Sequence, residues 1–327
     1  MDSDATWVSP VTLESIRAAQ RKIGAEIIRT PLVLSGAASD RAGIAVYLKL
    51  ENLQRTGAFK VRGALNKLAS FTPEQRARGI ICASSGNHGL GVAYAAARFG
   101  ARAVVVLPEN ANPLKVSLIE KLGAQTIAFG TISDARQEKV RELTEQYGYA
   151  QVHPFSDPVL ISGQGTIGLE IVEDLPEVDE VYVPIGGGGL ISGIATAVKE
   201  LRPQTRVYGV EPEYSNAMKE AVKHGRPFPL SRVQTIADGL AARITEELNL
   251  AIVRRYVDDI IEVSDRMILE ATEFLLEQCK VFVEPSGATS LAGLFANPKK
   301  HGKAVAVLSG GNATLQQLEQ HRRNLEG

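Results

Sequence analysis

Residues 181–193 read VYVPIGGGGLISG, an apolar run followed by four consecutive glycines and a second apolar segment. The first five residues are typical of a buried strand, and the segment from residue 189 onward is typical of a helix. Glycine has no Cβ, so several backbone N–H groups can crowd against one anion at such a turn. The stretch therefore predicts a strand–turn–helix unit that binds a small anion such as phosphate. A tight turn without a ligand is the alternative interpretation.

Two more glycine-rich turns follow apolar runs. Residues 84–89, SSGNHG, come after the run 79–83, and residues 309–312, SGGN, come after the run 304–308. The hydroxyls, the Asn87 amide and the helix N–H groups of the first turn suit a carboxylate, although a plain helix cap explains them equally well. The second turn is ambiguous by itself.

Apolar runs of strand length alternate with segments of helical periodicity along nearly the whole chain. The clearest helical spacing places Ile268, Ala271 and Leu275 on one face. This alternation predicts an α/β fold of mostly parallel sheets, with helices on both faces. The expected strands are 46–50, 80–83, 103–107, 126–129, 181–185, 207–210, 260–263 and 304–308. The expected helix starts are Asn112-Pro113, Ser133-Asp134 and Glu284-Pro285.

The composition limits the classes of function. A length of 327 residues predicts about two domains, and a net charge of −1 provides no general attraction for nucleic acid or an anionic membrane. No apolar run reaches the roughly 18 residues of a membrane-spanning helix, and the acidic N-terminus predicts no signal peptide. Two cysteines, Cys82 and Cys279, are too few for a disulfide framework or a zinc site. A reducing, cytoplasmic compartment is therefore expected.

A dinucleotide site is the main competing interpretation of the tetraglycine turn. Glu211 ends the next predicted strand, where a ribose-binding acid would stand. The pattern G-x-G-x-x-G fails because position 191 is Ile191, and no G-x-x-x-x-G-K-[ST] occurs. The histidines include no H-E-x-x-H pair, and there is no G-x-S-x-G nucleophile elbow. These patterns disfavour a nucleotide enzyme, a zinc protease and a serine hydrolase.

Residues 57–64, GAFKVRGA, contain the candidate nucleophile. Lys60 stands between Phe59 and the start of a predicted helix, a junction at which a lysine can be partly desolvated. Desolvation lowers the pKa of an amine and makes it nucleophilic toward carbonyls. A solvated surface lysine is the simpler interpretation of these residues alone. Together with three candidate anion sites, this amine suggests a phosphorylated aldehyde cofactor held as a Schiff base.

Taken together, the motifs resemble the fold-type II pyridoxal-phosphate enzymes of the tryptophan synthase β type, in the branch of serine/threonine dehydratases and serine racemases. The resemblance spans nearly the whole chain in the family's order. It implies two domains with pyridoxal 5′-phosphate between them. Residues 1–75 and 151–327 would form the large cofactor-binding domain, and residues 76–150 the small domain. The matching segments are 30–32, 49–54, 57–64, 84–89, 163–167, 186–189, 210–212, 237–239, 284–288 and 309–312.

The resemblance also implies roles for individual residues. Lys60 would carry the cofactor and act as the base on one of its faces, and Ser309 would hydrogen-bond the ring nitrogen. A neutral hydroxyl there disfavours a full pyridinium. The implied cofactor-binding residues are Phe59, Lys60, Asn87, Gly186, Gly187, Gly188, Gly189, Leu190, Gly239, Glu284 and Ser309. The implied substrate-binding residues are Ser84, Asn87, His88 and Arg136, of which the first three would bind the α-carboxylate.

The implied reaction is the dehydration and deamination of a 3-hydroxy amino acid, of the L-threonine or L-serine type, to a 2-oxo acid and ammonia. Ser85 matches the acid/base that serine racemases place on the opposite cofactor face, so Ser85 is a second catalytic candidate and racemisation an alternative. Arg136 resembles a racemase-branch arginine that can meet a second acidic group, as in 3-hydroxyaspartate. A solvated helix arginine is its plainer interpretation. Cysteine synthase-like β-replacement and a catalytically silent cofactor-binding protein are further alternatives.

The same branch often binds Mg²⁺ or Ca²⁺ near the phosphate loop through an acid, a carbonyl and a second acid. Glu211 and Ser215 match this pattern, but Ala217 replaces the second acid, so a metal would need water or another residue. The resemblance further implies a homodimer with an amino-acid substrate. Because the chain ends soon after the turn at Asn312, a C-terminal regulatory domain with feedback control by isoleucine is not expected.

Overall fold

The computed structural model describes residues 8–84, 86–131 and 133–326 as an α/β architecture. The strands are β1 (Leu32–Leu34), β2 (Ala45–Lys49), β3 (Ile80–Ala83), β4 (Ala103–Leu107), β5 (Gln125–Ala128), β6 (Ala150–Gln151), β7 (Glu180–Pro184), β8 (Arg206–Pro212), β9 (Asp259–Val263) and β10 (Lys303–Val307). The helices are α1 (Leu13–Ile23), α2 (Gly36–Ala42), α3 (Lys60–Ser70), α4 (Pro73–Arg78), α5 (Asn87–Arg98), α6 (Pro113–Lys121), α7 (Ser133–Tyr147), α8 (Pro158–Asp174), α9 (Gly189–Leu201), α10 (Ala217–His224), α11 (Glu247–Tyr256), α12 (Asp265–Glu277), α13 (Pro285–Ala296) and α14 (Leu315–Glu326).

These strands form two sheets. The larger has the order β1-β2-β10-β7-β8-β9, and the smaller has the order β5-β4-β3-β6. Neighbouring strands are parallel except β1 and β2, which pair antiparallel. The predicted α/β class with mostly parallel sheets is therefore confirmed. The four-stranded sheet is built from residues 80–151, and the domain boundaries expected at residues 76 and 150 stay predictions.

The strands follow the apolar runs of the sequence. β3 and β4 have the predicted bounds, and the other expected strands are displaced by one or two residues. β1 and β6 differ from the prediction because they contain only three and two residues, too few to show a hydrophobic pattern. The predicted helix starts are confirmed at Asn112, whose side chain caps α6, and at Pro285, the first residue of α13.

Apolar clusters on both faces hold the six-stranded sheet between its helices. Ala304 and Ala306 of β10 belong to one cluster, and Val305 and Val307 belong to the other. This alternation is that of a strand buried on both faces, as a parallel sheet requires. In the described part of the chain, no helix has the length and hydropathy needed to cross a bilayer.

Glycines let α8 pack closely against both α3, the helix of Lys60, and α9, the helix that follows the tetraglycine turn. A Cβ at Gly163 on α8 would lie 2.6 Å from the Arg62 carbonyl oxygen on α3. A Cβ at Gly193 on α9 would lie 2.5 Å from the Ile161 carbonyl oxygen on α8. Side chains at these positions would force the helices apart, because interiors are close-packed. Helix α8 thus fixes α3 and α9 at short range on its two sides.

A buried cluster of four charged side chains anchors α3 to neighbouring elements. Arg62 pairs with Glu51 at 2.7 Å and with Glu170 at 2.6 Å, and Lys49 pairs with Glu170 at 2.6 Å. None of these side chains is more than 4% exposed. Two cations balance two carboxylates, so the cluster satisfies the rule that buried charges are paired. It ties the first turn of α3 to β2 and α8.

Candidate active site

A cavity of about 990 Å³ lies at the carboxyl ends of strands from both sheets. Its lining includes Ser84 after β3, Gly186 after β7 and Ser309 after β10, the edge at which open α/β sheets bind ligands. Ser85, the second catalytic candidate, lies outside the described residues. The predicted site residues that line the cavity are Phe59, Lys60, Ser84, Asn87, His88, Arg136, Gly186, Gly187, Gly188, Gly189, Leu190, Gly239, Glu284 and Ser309.

Lys60 is the first residue of α3 and contributes its amine to the cavity. Its Nζ donates a hydrogen bond to the Pro154 carbonyl oxygen at 3.0 Å and lies 5.0 Å from the centroid of the Phe59 ring. Desolvation lowers the pKa of this half-buried lysine from its ordinary value to about 8. About one tenth of an amine with this pKa is neutral at pH 7, and a neutral amine can attack a carbonyl.

Two histidines near Lys60 are neutral at physiological pH. Burial lowers the pKa of His88 to about 3, with the Lys60 charge adding to the effect, and burial lowers the pKa of His153 to about 4. His88 Nε2 lies 3.2 Å from the Val152 carbonyl oxygen, while His153 Nδ1 accepts the Ser156 N–H at 2.8 Å. Both rings therefore act as hydrogen-bonding groups rather than as cations.

The tetraglycine turn joins β7 to α9. Gly188 has a φ of +98°, which favours glycine, and a Cβ at Gly187 would lie 2.3 Å from Phe155 Cγ. The N–H groups of residues 186–190 donate to no acceptor in the described part of the chain. The turn therefore presents several unpaired donors at a helix N-terminus, which is the arrangement of an anion site.

The turn after β3 caps α5. Ser84 Oγ accepts the N–H groups of Gly86 at 2.9 Å and of Gly89 at 2.8 Å. These bonds use the acceptor capacity of the hydroxyl and leave its proton for another acceptor. The cap and the carboxylate site, which the sequence leaves as alternatives, are therefore compatible at this turn.

Asn87, the first residue of α5, is held between two side chains. Its Nδ2 donates to Glu284 Oε1, and its Oδ1 accepts from Asn312 Nδ2 at 2.9 Å. Asn312 Nδ2 also donates to the Thr56 carbonyl oxygen at 2.8 Å. Glu284 is 1% exposed, and burial raises the pKa of its carboxyl above the ordinary value. These contacts set the orientation of the Asn87 amide within the cavity.

The turn at residues 309–312, which is ambiguous from its sequence, pairs partly with the backbone of other segments. The Gly311 N–H donates to the Gly57 carbonyl oxygen at 2.8 Å, and the Gly310 carbonyl accepts the Glu284 N–H at 3.1 Å. The Gly311 N–H is therefore not available to an anion. The turn instead contributes the hydroxyl of Ser309, whose Oγ lies 3.3 Å from the Ser286 carbonyl oxygen.

Glu211 and Ser215, the expected metal ligands, both make hydrogen bonds within the protein. Both oxygens of the Glu211 carboxyl accept backbone N–H groups at 2.9 Å, from Met218 and Lys219 at the start of α10. Ser215 Oγ donates to the Leu240 carbonyl oxygen at 2.8 Å. Nowhere in the described ranges do three or more His, Cys, Asp or Glu residues form a group that could hold a metal ion. The Glu211 carboxyl therefore caps the start of α10, and its role as a metal ligand stays a prediction.

Arg136 lies on α7 and lines the cavity with only 8% of its surface exposed. The polar sequence of α7 by itself suggests a solvated arginine, and the burial of Arg136 corrects that interpretation. A guanidinium in this position can meet an anionic group in the cavity.

Three further groups of the site, namely Lys115, Asp238 and the Pro154 carbonyl, are not among the residues that the sequence predicts. Lys115 Nζ lies 2.7 Å from Asp238 Oδ2 and 3.3 Å from Glu284 Oε2, and the Pro154 carbonyl holds Lys60. The sequence signal for Lys115 is its position in the first turn after the Asn112 cap, which predicts the helix but not the direction it faces. The carbonyl of Pro154 has no signal, because every residue supplies one.

A desolvated lysine and a turn of unpaired N–H groups in the same cavity define a site for a phosphorylated carbonyl cofactor. Residues 23–310 match the family model described as pyridoxal-phosphate dependent enzyme, and the chain belongs to that family. It is 44% identical over 310 residues to L-threonine ammonia-lyase of Thermotoga maritima, covering 94% of this chain and 77% of the relative. It is also 38% identical over 299 residues to L-threo-3-hydroxyaspartate ammonia-lyase of Saccharomyces cerevisiae, covering 91% and 92%.

Solved structures agree with this family. Maize serine racemase superposes with a TM-score of 0.91 at 36% identity, covering 97% of this chain and 98% of that one. The residues described here fit pyridoxal phosphate by their own chemistry. The unpaired N–H groups of residues 186–190 suit its phosphate, and the Lys60 amine suits its aldehyde.

Proposed function

We propose that this protein is a pyridoxal-phosphate-dependent ammonia-lyase that converts L-threonine or L-serine to a 2-oxo acid and ammonia. The observation that carries the proposal is the Lys60 amine, with its pKa lowered to about 8, in the same cavity as the unpaired N–H groups of the tetraglycine turn. The identity of 44% to the Thermotoga maritima threonine ammonia-lyase supports this choice of reaction.

Lys60 is the proposed base. When bound, pyridoxal phosphate supplies an electron sink for the negative charge that develops at the substrate Cα. Lys60 removes the Cα proton, because its amine combines a lowered pKa with a place in the cavity, where the Pro154 carbonyl holds it at 3.0 Å. Loss of this proton and of the β-hydroxyl as water leaves an enamine, which hydrolyses to the 2-oxo acid and ammonia.

The remaining residues bind and orient the cofactor and the substrate. Residues 186–190 bind the phosphate through their N–H groups, and the turn at residues 84–89 binds the α-carboxylate at the N-terminus of α5. Ser309 would hydrogen-bond the ring nitrogen of the bound cofactor, and its neutral hydroxyl would stabilise a pyridinium less than an aspartate would. Phe59 packs beside the lysine, and Asn87 is held by Glu284 and Asn312 in one orientation.

The test is a screen of the purified holoenzyme with the L- and D-isomers of serine and threonine and with the isomers of 3-hydroxyaspartate. L-threonine or L-serine should release equal amounts of 2-oxo acid and ammonia, and the variant Lys60→Ala should release neither. Borohydride reduction followed by peptide mapping should label the peptide that contains residue 60. A label on a different lysine, or no keto acid from either L-amino acid, would contradict the proposal.

A dicarboxylic substrate is the second candidate. Arg136 is buried beside the cavity, and a guanidinium can hold a second carboxylate in bidentate geometry. The yeast relative is named for 3-hydroxyaspartate. Arg136→Ala should then lower kcat/KM on 3-hydroxyaspartate about tenfold more than on L-serine, since a charged hydrogen bond contributes more than 1.4 kcal/mol. Equal losses on the two substrates would exclude this role.

Racemisation is the third candidate, supported by the likeness to maize serine racemase. It requires a second acid/base on the cofactor face opposite Lys60, and Ser85 is the residue that the resemblance offers. Chiral chromatography after incubation with L-serine should detect D-serine from the wild type and not from Ser85→Ala. Wild-type enzyme that forms no D-serine would exclude this activity.

A divalent cation at Glu211 and Ser215 stays a prediction, because each Glu211 carboxyl oxygen accepts one backbone N–H and keeps a second lone pair. We further propose a homodimer, which sedimentation velocity of the holoenzyme tests. The cytoplasmic compartment stays a prediction from the cysteine content.

A further inference from the structure

Lys115 connects the two sides of the cavity through an ion pair that the proposed chemistry does not use. It lies on α6, which packs against α5 and β5. Its partners come from the other side, where Asp238 begins a 3-10 turn and Glu284 immediately precedes α13, a helix that packs on the six-stranded sheet. The contacts of Lys115 Nζ, 2.7 Å to Asp238 Oδ2 and 3.3 Å to Glu284 Oε2, are called here the Lys115 bridge.

The Lys115 bridge is largely removed from water. Lys115 is 2% exposed and Glu284 is 1% exposed, whereas the Asp238 side chain is half exposed. A buried ammonium and a buried carboxylate are each costly unless they are paired. The contact therefore favours the one arrangement of the two sides in which these charges meet.

The same contact leads to the binding site. A Cβ at Gly86 would lie 2.3 Å from Lys115 Cδ, so the glycine before α5 leaves room for the lysine stem. Glu284 meets Lys115 through Oε2 and accepts the Asn87 Nδ2 hydrogen bond through Oε1. Lys115, Glu284 and Asn87 thus form a continuous polar chain from α6 into the cavity.

We propose that Lys115 is a positioning residue, which holds the two sides of the cavity together through Asp238 and Glu284 and keeps Asn87 in its binding orientation. Lys115 acts through these carboxylates and takes no part in proton transfer. The proposal deepens the proposed function, since it assigns a residue to the same site, and it rests on that function only for its kinetic test.

The first experiment measures how fast the holoenzyme loses its cofactor after dilution, from the decay of the visible absorbance. Lys115→Met keeps most of the stem over Gly86 and removes the charge. We expect at least about fivefold faster loss from Lys115→Met. The matched control Lys121→Met, at the exposed end of the same helix, should lose cofactor at the wild-type rate. A rate for Lys115→Met within twofold of the wild type would overturn the proposal.

The second experiment separates positioning from general destabilisation. A positioning role predicts that Lys115→Met raises KM for the amino acid, whereas a partly unfolded enzyme would lose kcat and keep its KM. Asp238→Asn should raise KM and the cofactor loss rate less than Lys115→Met does. Combining the two substitutions should add little, because both remove the same interaction between Lys115 and Asp238. Fully additive effects on the cofactor loss rate would overturn the proposal.

These outcomes are distinguishable from a failure of the proposed function. If the wild type released ammonia from no amino acid, that function would be wrong, and the cofactor loss rates would still decide the role of Lys115. If Lys115→Met did not fold, Asp238→Asn alone would test the role of Lys115. A faster cofactor loss from that variant would support the proposal, and an unchanged rate would overturn it.

Discussion

Replacing Arg62 by methionine should be among the most damaging single changes in this protein outside the cavity. Arg62 donates to Glu51 through Nε at 2.8 Å and Nη2 at 2.7 Å, and to Glu170 through Nη1 at 2.6 Å and Nη2 at 2.9 Å. Arg62→Met leaves two buried carboxylates with one remaining cation, Lys49. Breaking a buried pair in this way costs about 3–5 kcal/mol of unfolding free energy.

The assay is urea unfolding of the holoenzyme at pH 7, with Arg29→Met as the matched control. Arg29 also pairs with two carboxylates, Glu173 at 2.7 Å and Asp174 at 2.5 Å, but these side chains are about one third to one half exposed. Solvent screens such pairs, so their loss should cost at most about 1 kcal/mol. A cost for Arg62→Met as small as that of the control would refute the reasoning.

The difference in unfolding free energy between the wild type and Arg62→Met should also depend on pH. Burial alone would raise the pKa of Glu51, but the charges of Arg62 and Lys49 and the hydrogen bonds from Arg62 and Thr30 together outweigh burial and hold that pKa below the ordinary value. In the wild type this carboxylate therefore stabilises the fold above its unfolded-state pKa of about 4.3, and the contribution is lost as the pH falls through the lower folded value. Without Arg62 the buried carboxylate should take up a proton more readily on folding. The difference in unfolding free energy between the wild type and Arg62→Met should accordingly become smaller as the pH falls from 7 toward 4. A difference that becomes larger over this range would contradict this account.

Three further predictions concern the site directly. Lys60→Ala should abolish the visible absorbance of the bound cofactor together with ammonia release, and an unchanged absorbance band would show that another residue holds the cofactor. Gly187→Ala should weaken cofactor affinity by about tenfold or more, because its Cβ would lie 2.3 Å from Phe155 Cγ and overpacking costs about 1–3 kcal/mol. Gly36→Ala, with no atom within 4 Å of the new Cβ, is its control in the same equilibrium titration. The rate at which cofactor-free protein takes up pyridoxal phosphate should rise with pH around a midpoint near 8, since the neutral form of Lys60 attacks. A midpoint near 10.5 in stopped-flow absorbance would mean that this lysine is solvated.

Local sequence predicts the parts of the site that depend on close neighbours along the chain. The strand, glycine turn and helix at residues 181–193, and the helix that begins at Lys60, follow from apolar runs and glycine within a few positions. The α6 cap by Asn112 follows in the same way from the chemistry of one side chain. The family resemblance adds that these parts belong to one cofactor site, and the cavity contains the described ones among them.

Tertiary packing alone decides which groups meet in that cavity. Lys60 meets the carbonyl of a residue 94 positions away, and Asn87 meets a carboxylate 197 positions away. The turn at residues 309–312 is as rich in glycine as an anion site, yet the carbonyl oxygen of residue 57 accepts its Gly311 N–H. The type of a side chain determines which hydrogen bonds it can make. Which of these bonds form depends on tertiary structure, namely the close packing of α3, α8 and α9 and the approach of the two sides of the cavity. For that reason the sequence by itself determined the elements and the chemistry of Lys60, and the Lys115 bridge emerged only from the folded chain.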